Sequence, residues 1–259
     1  SSFVNHVCND EYLLFQENIP DIPNLLNKDR VKSGLEAISH FQAEYLVLDD
    51  GFQHLRLARN LDIVTIDALN PFGYEHIVPR GMLREPLESL KRADMIMLTH
   101  TDQCNQDKIA AIINRLRGIV GQIPIVETVH KLMCLESSKG GETMDVTWLQ
   151  GKKVFAFCAI GNPASFRKSI ECLGGELLGF RVFPDHHVYT PSELKALNAE
   201  AQRVRPDAII VTQKDKVKMK NGNMLWNFSL WTLKMEICIV KGCEVFENKI
   251  NAMLNRKEK

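Results

Sequence analysis

Tyr45-Leu46-Val47-Leu48-Asp49-Asp50-Gly51-Phe52-Gln53-His54 is a short apolar run that delivers two carboxylates, a glycine turn, an amide and an imidazole to one point. Four β-prone residues closed by an acidic turn have the pattern of a buried parallel strand. In open α/β sheets ligands bind beyond the carboxyl ends of such strands. Paired carboxylates there are hard oxygen ligands, suited to holding Mg²⁺ against phosphates. The companion element, a G-x-x-x-x-G-K-[ST] phosphate loop, occurs nowhere between Ser1 and Lys259. The stretch reads as half of a phosphate site in an α/β fold.

Strand and helix signals alternate on either side of it. Residues 61–66 and 94–98 are further β-rich apolar runs closed by polar turns. Between the second and the next candidate strand, 123–129, residues 108–120 carry Ile109, Ile112, Ile113, Leu116 and Ile119 at helical spacing, with Asp102 or Asp107 near the start. The Ser/Gly/charge-rich stretch 136–144 reads as a break. It sets the expected domains at 1–145 and 146–259. In the second, strands are expected at 154–160, 176–183 and 207–212. The Gly161-Asn162-Pro163 turn leads into a helix over 164–173 that Gly174-Gly175 stops. Thr190-Pro191-Ser192-Glu193 is a capping box that opens a helix through about Arg203. Alternation over 230–240 predicts a half-exposed strand, and 245–254 a terminal helix.

Composition bounds the function. The 259 residues, 45% of them hydrophobic, suffice for one large core or two ordinary ones. With 32 basic and 32 acidic side chains there is no overall field toward nucleic acid, which is excluded as an expected partner. Seven cysteines (Cys8, Cys104, Cys134, Cys158, Cys172, Cys238 and Cys243) stand singly with no C-x-x-C pair, arguing against a disulfide framework and a structural zinc site and for a reducing cytosol. No apolar run approaches the roughly 18 residues that span a bilayer. Because the chain opens on Ser1 and contains no phosphate loop, it is expected to be a fragment lacking its natural N-terminal part.

Three other clusters carry chemistry. Pro184-Asp185-His186-His187 presents a carboxylate and two imidazoles just before a helix, the makings of a general acid or base. Pro79-Arg80-Gly81-Met82-Leu83-Arg84-Glu85-Pro86 places two guanidiniums in a loop suited to phosphate oxygens. Thr212-Gln213-Lys214-Asp215-Lys216-Val217-Lys218 could meet a polyanion, although its composition favours a solvated charge run. His6-x-Cys8 lacks companion ligands and is set aside.

Taken in order, Asn9-Asp10-Glu11, Asp49-Asp50-Gly51-Phe52-Gln53-His54, Gly81-Met82-Leu83-Arg84-Glu85-Pro86, Ala159-Ile160-Gly161-Asn162-Pro163, Leu173-Gly174-Gly175-Glu176, Phe183-Pro184-Asp185-His186-His187 and Thr212-Gln213-Lys214-Asp215 resemble the motifs of the tetraacyldisaccharide 4'-kinase family, the lipid A 4'-kinases of Gram-negative bacteria. The resemblance runs from about Asp10 to Lys220. It implies a P-loop-kinase-like parallel sheet, incomplete at its N-terminus, followed by a smaller α/β domain. It also implies transfer of the ATP γ-phosphate, with Mg²⁺, to the 4'-hydroxyl of an acylated glucosamine disaccharide. The expected location is the cytoplasmic side of the bacterial inner membrane, with peripheral contact to the membrane surface and an anchor in the missing N-terminal part.

Residue by residue, the resemblance makes Asp10 the carboxylate of an acid/base dyad whose imidazole comes from the His186-His187 pair and is assigned to His186. Asp49 and Asp50 match carboxylates near Mg²⁺ and nucleotide, with Gln53 and His54 in the same site. Arg84 and Glu85 match a pair beside the phosphates, Glu85 also near the metal. With Asp10 in the first domain and His186 in the second, the dyad is expected to form across the interdomain cleft, on the side of Asp49 and His54. Asn9, Arg80, Leu55 and Ala159 depart from the family pattern without removing a chemical group. Without a phosphate loop, the fragment alone is expected to bind ATP poorly and to be inactive. A second reading is a shortened, non-catalytic relative that binds nucleotide, sugar lipid or a protein partner, but such a module needs no acid/base dyad.

Overall fold

The computed structural model describes residues 10–138, 140–219 and 225–255; His6, Cys8 and Asn9 lie outside them. In chain order the elements are α1 (Asp10–Asn18), α2 (Arg30–Phe41), β1 (Ile63–Asp67), β2 (Met95–Thr99), α3 (Gln106–Val120), β3 (Ile125–Ser137), β4 (Thr143–Met144), β5 (Lys153–Cys158), α4 (Pro163–Cys172), β6 (Glu176–Val182), α5 (Pro191–Val204), β7 (Ala208–Thr212), α6 (Gln213–Met219), β8 (Leu230–Lys241) and α7 (Cys243–Leu254). This is an α/β chain with a predominantly parallel strand arrangement.

Two compact units emerge, each made of two separate segments: Ser1–Glu44 with Leu132–Met235, and Tyr45–Lys131 with Glu236–Lys259. This division differs from the expected boundary at 145. The stretch read as a break is a hairpin, in which Leu135 pairs with Met144 and Glu136 with Thr143, antiparallel. Its Ser and Gly residues make a turn rather than a linker, so the chain stays within one unit there.

In the first unit β6, β5, β7 and β8 lie side by side, all parallel. Successive side chains of a strand point to opposite faces, and both faces are covered here. Val154, Ala156 and Cys158 of β5 join Ala208 and Ile210 of β7 against Phe166 and Ile170 of α4. Phe155, Phe157, Ile209 and Val211 face the other way, against Leu194, Leu197 and Ala201 of α5. Gly179 is needed at the irregularity between β5 and β6, since a Cβ there would come within 2.7 Å of the Phe155 ring. The expected capping box forms, Thr190 and Glu193 making both of its bonds, and the Gly161-Asn162-Pro163 turn leads into a helix as expected, with Asn162 accepting from the Ser165 N–H. Because β6 and β7 flank β5 on opposite sides, the winding reverses between β5 and β7, which opens a crevice at their carboxyl ends.

The second unit pairs β1, β2 and the start of β3 in parallel. Ile109, Ile112, Leu116 and Val120 of α3 pack on Ile66, Ile96 and Leu98. The helix is capped by Asn105, whose side chain accepts from the Lys108 N–H at 2.8 Å, rather than by Asp102 or Asp107. The expected strand at 45–48 does not form: these residues are irregular, and Val47 is 99% exposed. A strand requires a neighbour to take its backbone hydrogen bonds, and propensity does not supply one. Among the described residues, no helix is long and apolar enough to cross a membrane.

Candidate active site

The dyad lies at the carboxyl ends of β5 and β7, where Lys218 of α6 contacts both the Ala159 carbonyl and Asp10. Asp10 opens α1, which packs against α6 within the first unit. His186 sits in the loop after β6 with φ 59°, a left-handed conformation that non-glycine residues adopt at some cost and that gathers at functional sites. Its Nδ1 lies 3.0 Å from Asp10 Oδ1 and 3.2 Å from Oδ2. An ionised carboxylate can only accept, so Nδ1 carries the proton, while Nε2 points away from Asp10 and lies 3.6 Å from Asp185 Oδ2. Both residues belong to one compact unit, so the expected assembly of the dyad across an interdomain cleft is corrected. The α1–α6 packing builds it into a single body.

Asp10 is buried, its side chain 5% exposed, whereas the His186 ring is 53% exposed and open to a reactant. Burial pushes the Asp10 carboxyl up. The hydrogen bond from His186 and the charge of Lys218 outweigh it and hold the group below the ordinary carboxylate value.

The neighbouring imidazole has a different task. His187 Nε2 meets Glu193 Oε2 at 3.1 Å, and its ring stacks on Phe183 with centroids 5.0 Å apart. Hydrogen bonds from the backbone and side chain of Thr190, then from His187, bring the Glu193 carboxyl down to about 2. His187→Ala is accordingly expected to lower the melting temperature slightly while leaving any kcat of the intact gene product near the parent value. A loss of kcat matching that of His186→Ala would reverse the assignment within the pair.

Sequence reasoning missed the floor of this site. The run 212–218 is not a solvated charge run: α6 buries Asp215 completely, and the Lys218 side chain is 2% exposed. Asp215 accepts from the Ala159 N–H (2.9 Å), the Tyr189 hydroxyl (2.9 Å) and the Thr212 hydroxyl (2.6 Å). Lys218 Nζ donates to the Ala159 carbonyl at 2.8 Å and lies 3.4 Å from Asp10 Oδ2 and 3.7 Å from Asp215 Oδ1. The available signal was Thr212-x-x-Asp215, which has capping-box spacing directly after a strand.

The second unit holds the other group of expected residues. Arg84 Nη1 lies 2.6 and 2.5 Å from the two oxygens of Asp50, which sits in a turn with φ 49°. Glu85 accepts from Arg92 at 2.7 Å, and Arg92 also stacks over the Phe52 ring. Arg59, not singled out in the sequence, donates to the carbonyls of His54 (2.7 Å) and Leu57 (3.1 Å) and to Asp62 (2.6 Å), fixing the backbone of the Gly51–His54 turn. A Cβ on Gly51 would meet the Leu48 side chain, which would have to turn away. Asp49 and Gln53 are exposed, and His54 is half-buried.

The profile described as LpxK, tetraacyldisaccharide-1-P 4'-kinase, matches residues 4–255. The chain belongs to the tetraacyldisaccharide 4'-kinase family. Relatives bearing that name include proteins of Syntrophus aciditrophicus, 38% identical over 81% of this chain and 58% of the relative, and of Anaeromyxobacter sp. strain K, 34% identical over 95% of this chain and 65% of the relative. The chain therefore spans less than two thirds of either relative. A crystal structure of LpxK from Aquifex aeolicus, described as an "apo" form in complex with ATP, superposes with a TM-score of 0.68 at 26% identity, covering 94% of this chain and 68% of that one.

Of the residues expected from family membership, the structure joins Asp10 to His186 and Asp50 to Arg84. It does not gather Asp49, Asp50 and Glu85 around one point. Among the described residues no three His, Cys, Asp or Glu side chains are grouped to hold a metal, because Asp50 pairs with Arg84 and Glu85 turns to Arg92. A tetraacyldisaccharide 4'-kinase need not supply such a cage, since Mg²⁺ is commonly held by one or two carboxylates, with waters and substrate phosphates completing the shell.

Proposed function

We propose that the full-length protein transfers the γ-phosphoryl group of ATP to the 4'-hydroxyl of a tetraacylated, 1-phosphorylated glucosamine disaccharide. The observation that carries this is the Asp10–His186 pair at 3.0 Å, at the carboxyl ends of parallel strands. Asp10 orients the imidazole, and His186 Nε2 accepts the proton of the attacking hydroxyl. Asp49 is exposed and Asp50 is tied to Arg84, so a metal shell completed by phosphate oxygens would draw on Asp49 and, once Arg84 turns to phosphate, on Asp50, to hold Mg²⁺ with ATP. Bound there, Mg²⁺ would neutralise phosphate charge. Arg84 supplies a guanidinium for the transferring group, and Glu85, with Gln53 and His54, lines the nucleotide side. An acylated substrate resides in a bilayer, which favours work at the cytoplasmic face of the bacterial inner membrane. The non-catalytic alternative leaves the oriented imidazole without a purpose.

The test is to incubate the purified intact gene product with ATP, Mg²⁺ and the disaccharide and to follow product by mass spectrometry. One added phosphate at the 4' position is expected. In the same assay Asp50→Ala, Arg84→Ala and Glu85→Ala should each lower kcat by roughly tenfold to a thousandfold, as loss of a positioned charge does. A folded protein that adds no phosphate would overturn the proposal.

A further inference from the structure

A buried ammonium is costly unless it is paired. Lys218 is the most enclosed charged group around the dyad after Asp215, and its partners are fixed: the Ala159 carbonyl at 2.8 Å, Asp10 Oδ2 at 3.4 Å and Asp215 Oδ1 at 3.7 Å. Asp215 is itself locked by Tyr189, Thr212 and the Ala159 N–H. The two Asp10 oxygens differ in their other partners: both lie near His186 Nδ1, at 3.0 and 3.2 Å, while Oδ1 also accepts from the Glu11 N–H at 3.1 Å and Oδ2 is the one toward Lys218.

We propose that Lys218 is a positioning residue for phosphoryl transfer: held by Ala159 and Asp215, it fixes the rotation and charge of Asp10 so that one carboxylate oxygen is always presented to His186 Nδ1. This rests on the kinase reading above. It adds a consequence for the proton. Asp10 and Asp215 against Lys218 leave one negative charge in excess, which a proton arriving on His186 neutralises. The groups facing Asp10 are His186 from the loop after β6 and Lys218 from α6. Asp185 lies 3.6 Å from His186 Nε2, and on the α1–α6 interface Glu11 pairs with Lys214 and Glu17 with Lys216.

The test compares the intact gene product with its Lys218→Gln and Lys218→Arg variants. Gln keeps a donor for Ala159 and removes the charge; Arg keeps the charge. The Asp10 carboxyl carbon is titrated by NMR, and kcat is measured against pH. In Lys218→Gln the carboxyl midpoint and the acid limb of kcat should both rise by about one unit or more, the effect of losing an opposite charge. At neutral pH kcat should fall about tenfold or more with KM little changed, and Lys218→Arg should restore most of both. A folded Lys218→Gln protein with an unmoved Asp10 titration overturns the proposal. Should that variant not fold, His186→Ala carries the test, since its ring is exposed. With the imidazole gone, the Lys218 Nζ resonance should shift as Asp10 titrates, because the two remain in contact, and a resonance that does not move through that titration overturns the role of Lys218. The titrations need no substrate, so failure of the disaccharide assay would defeat the proposed function and leave this inference separately decidable.

Discussion

In the intact gene product, under the proposed kinase function, Asp10→Ala and His186→Ala are each expected to lower kcat by about two to four orders of magnitude, the contribution of a positioned general base, with little change in KM. The double variant should lose about as much as either single one, because residues acting as a unit are not additive. Geometry gives the reason. With Asp10 absent, nothing among the described contacts of His186 fixes Nδ1 as the protonated nitrogen, and the exposed ring is free to turn. With His186 absent, the carboxylate lies behind the position the ring occupied and lacks the imidazole that carries the proton. Steady-state kinetics across ATP and disaccharide concentrations decide the matter. Multiplicative losses in the double variant would mean that the two side chains act independently.

Asp215→Ala should act on the fold as well as the reaction. The carboxylate is wholly buried, and its removal leaves the Tyr189 hydroxyl, the Ala159 N–H and the Lys218 ammonium without their acceptor. Breaking one side of a buried ionic group costs about 3–5 kcal/mol, which for a chain of this size lowers the melting temperature on the order of ten degrees. Burial, the largest cause and one that persists in the variant, pushes the Tyr189 hydroxyl and the Cys158 thiol up, so neither readily replaces the lost negative charge. Asp215→Asn, which keeps the shape and one acceptor oxygen, should lose less. Thermal denaturation followed by circular dichroism measures both, and a melting temperature for Asp215→Ala close to that of the parent would show that the network is satisfied by other means.

Local chemistry was legible wherever it was complete in itself. Thr190 and Glu193, Asn162 with Pro163, and Gly174 mark their helix ends because capping involves atoms only a few residues apart. The buried strands of the first unit were legible as continuous apolar runs for the same reason. What required a partner from elsewhere was not. Residues 45–48 have strand composition, yet nothing in those four letters supplies the neighbour whose hydrogen bonds would make a strand of them. Lys218 has the composition of a surface lysine, and only the meeting of α1, α6 and the loop after β5 turns it into a buried cation. Asp10 and His186 were found through resemblance to a family, and their spacing of 176 residues could not have joined them otherwise. Their placement in separate domains failed because a linear boundary was imposed on units made of discontinuous segments.

That discontinuity bears on how the molecule can be taken apart. The chain passes between its two units at three places, after Glu44, after Lys131 and after Met235. No single proteolytic cut can release either unit intact, and a deletion mutant ended at residue 145 would strip the first unit of β5, β7 and β8 while leaving α1 behind. A free-standing version of the dyad-bearing unit would have to be made by excising residues 45–131 and splicing Glu44 to Leu132, or by circular permutation, rather than by trimming an end.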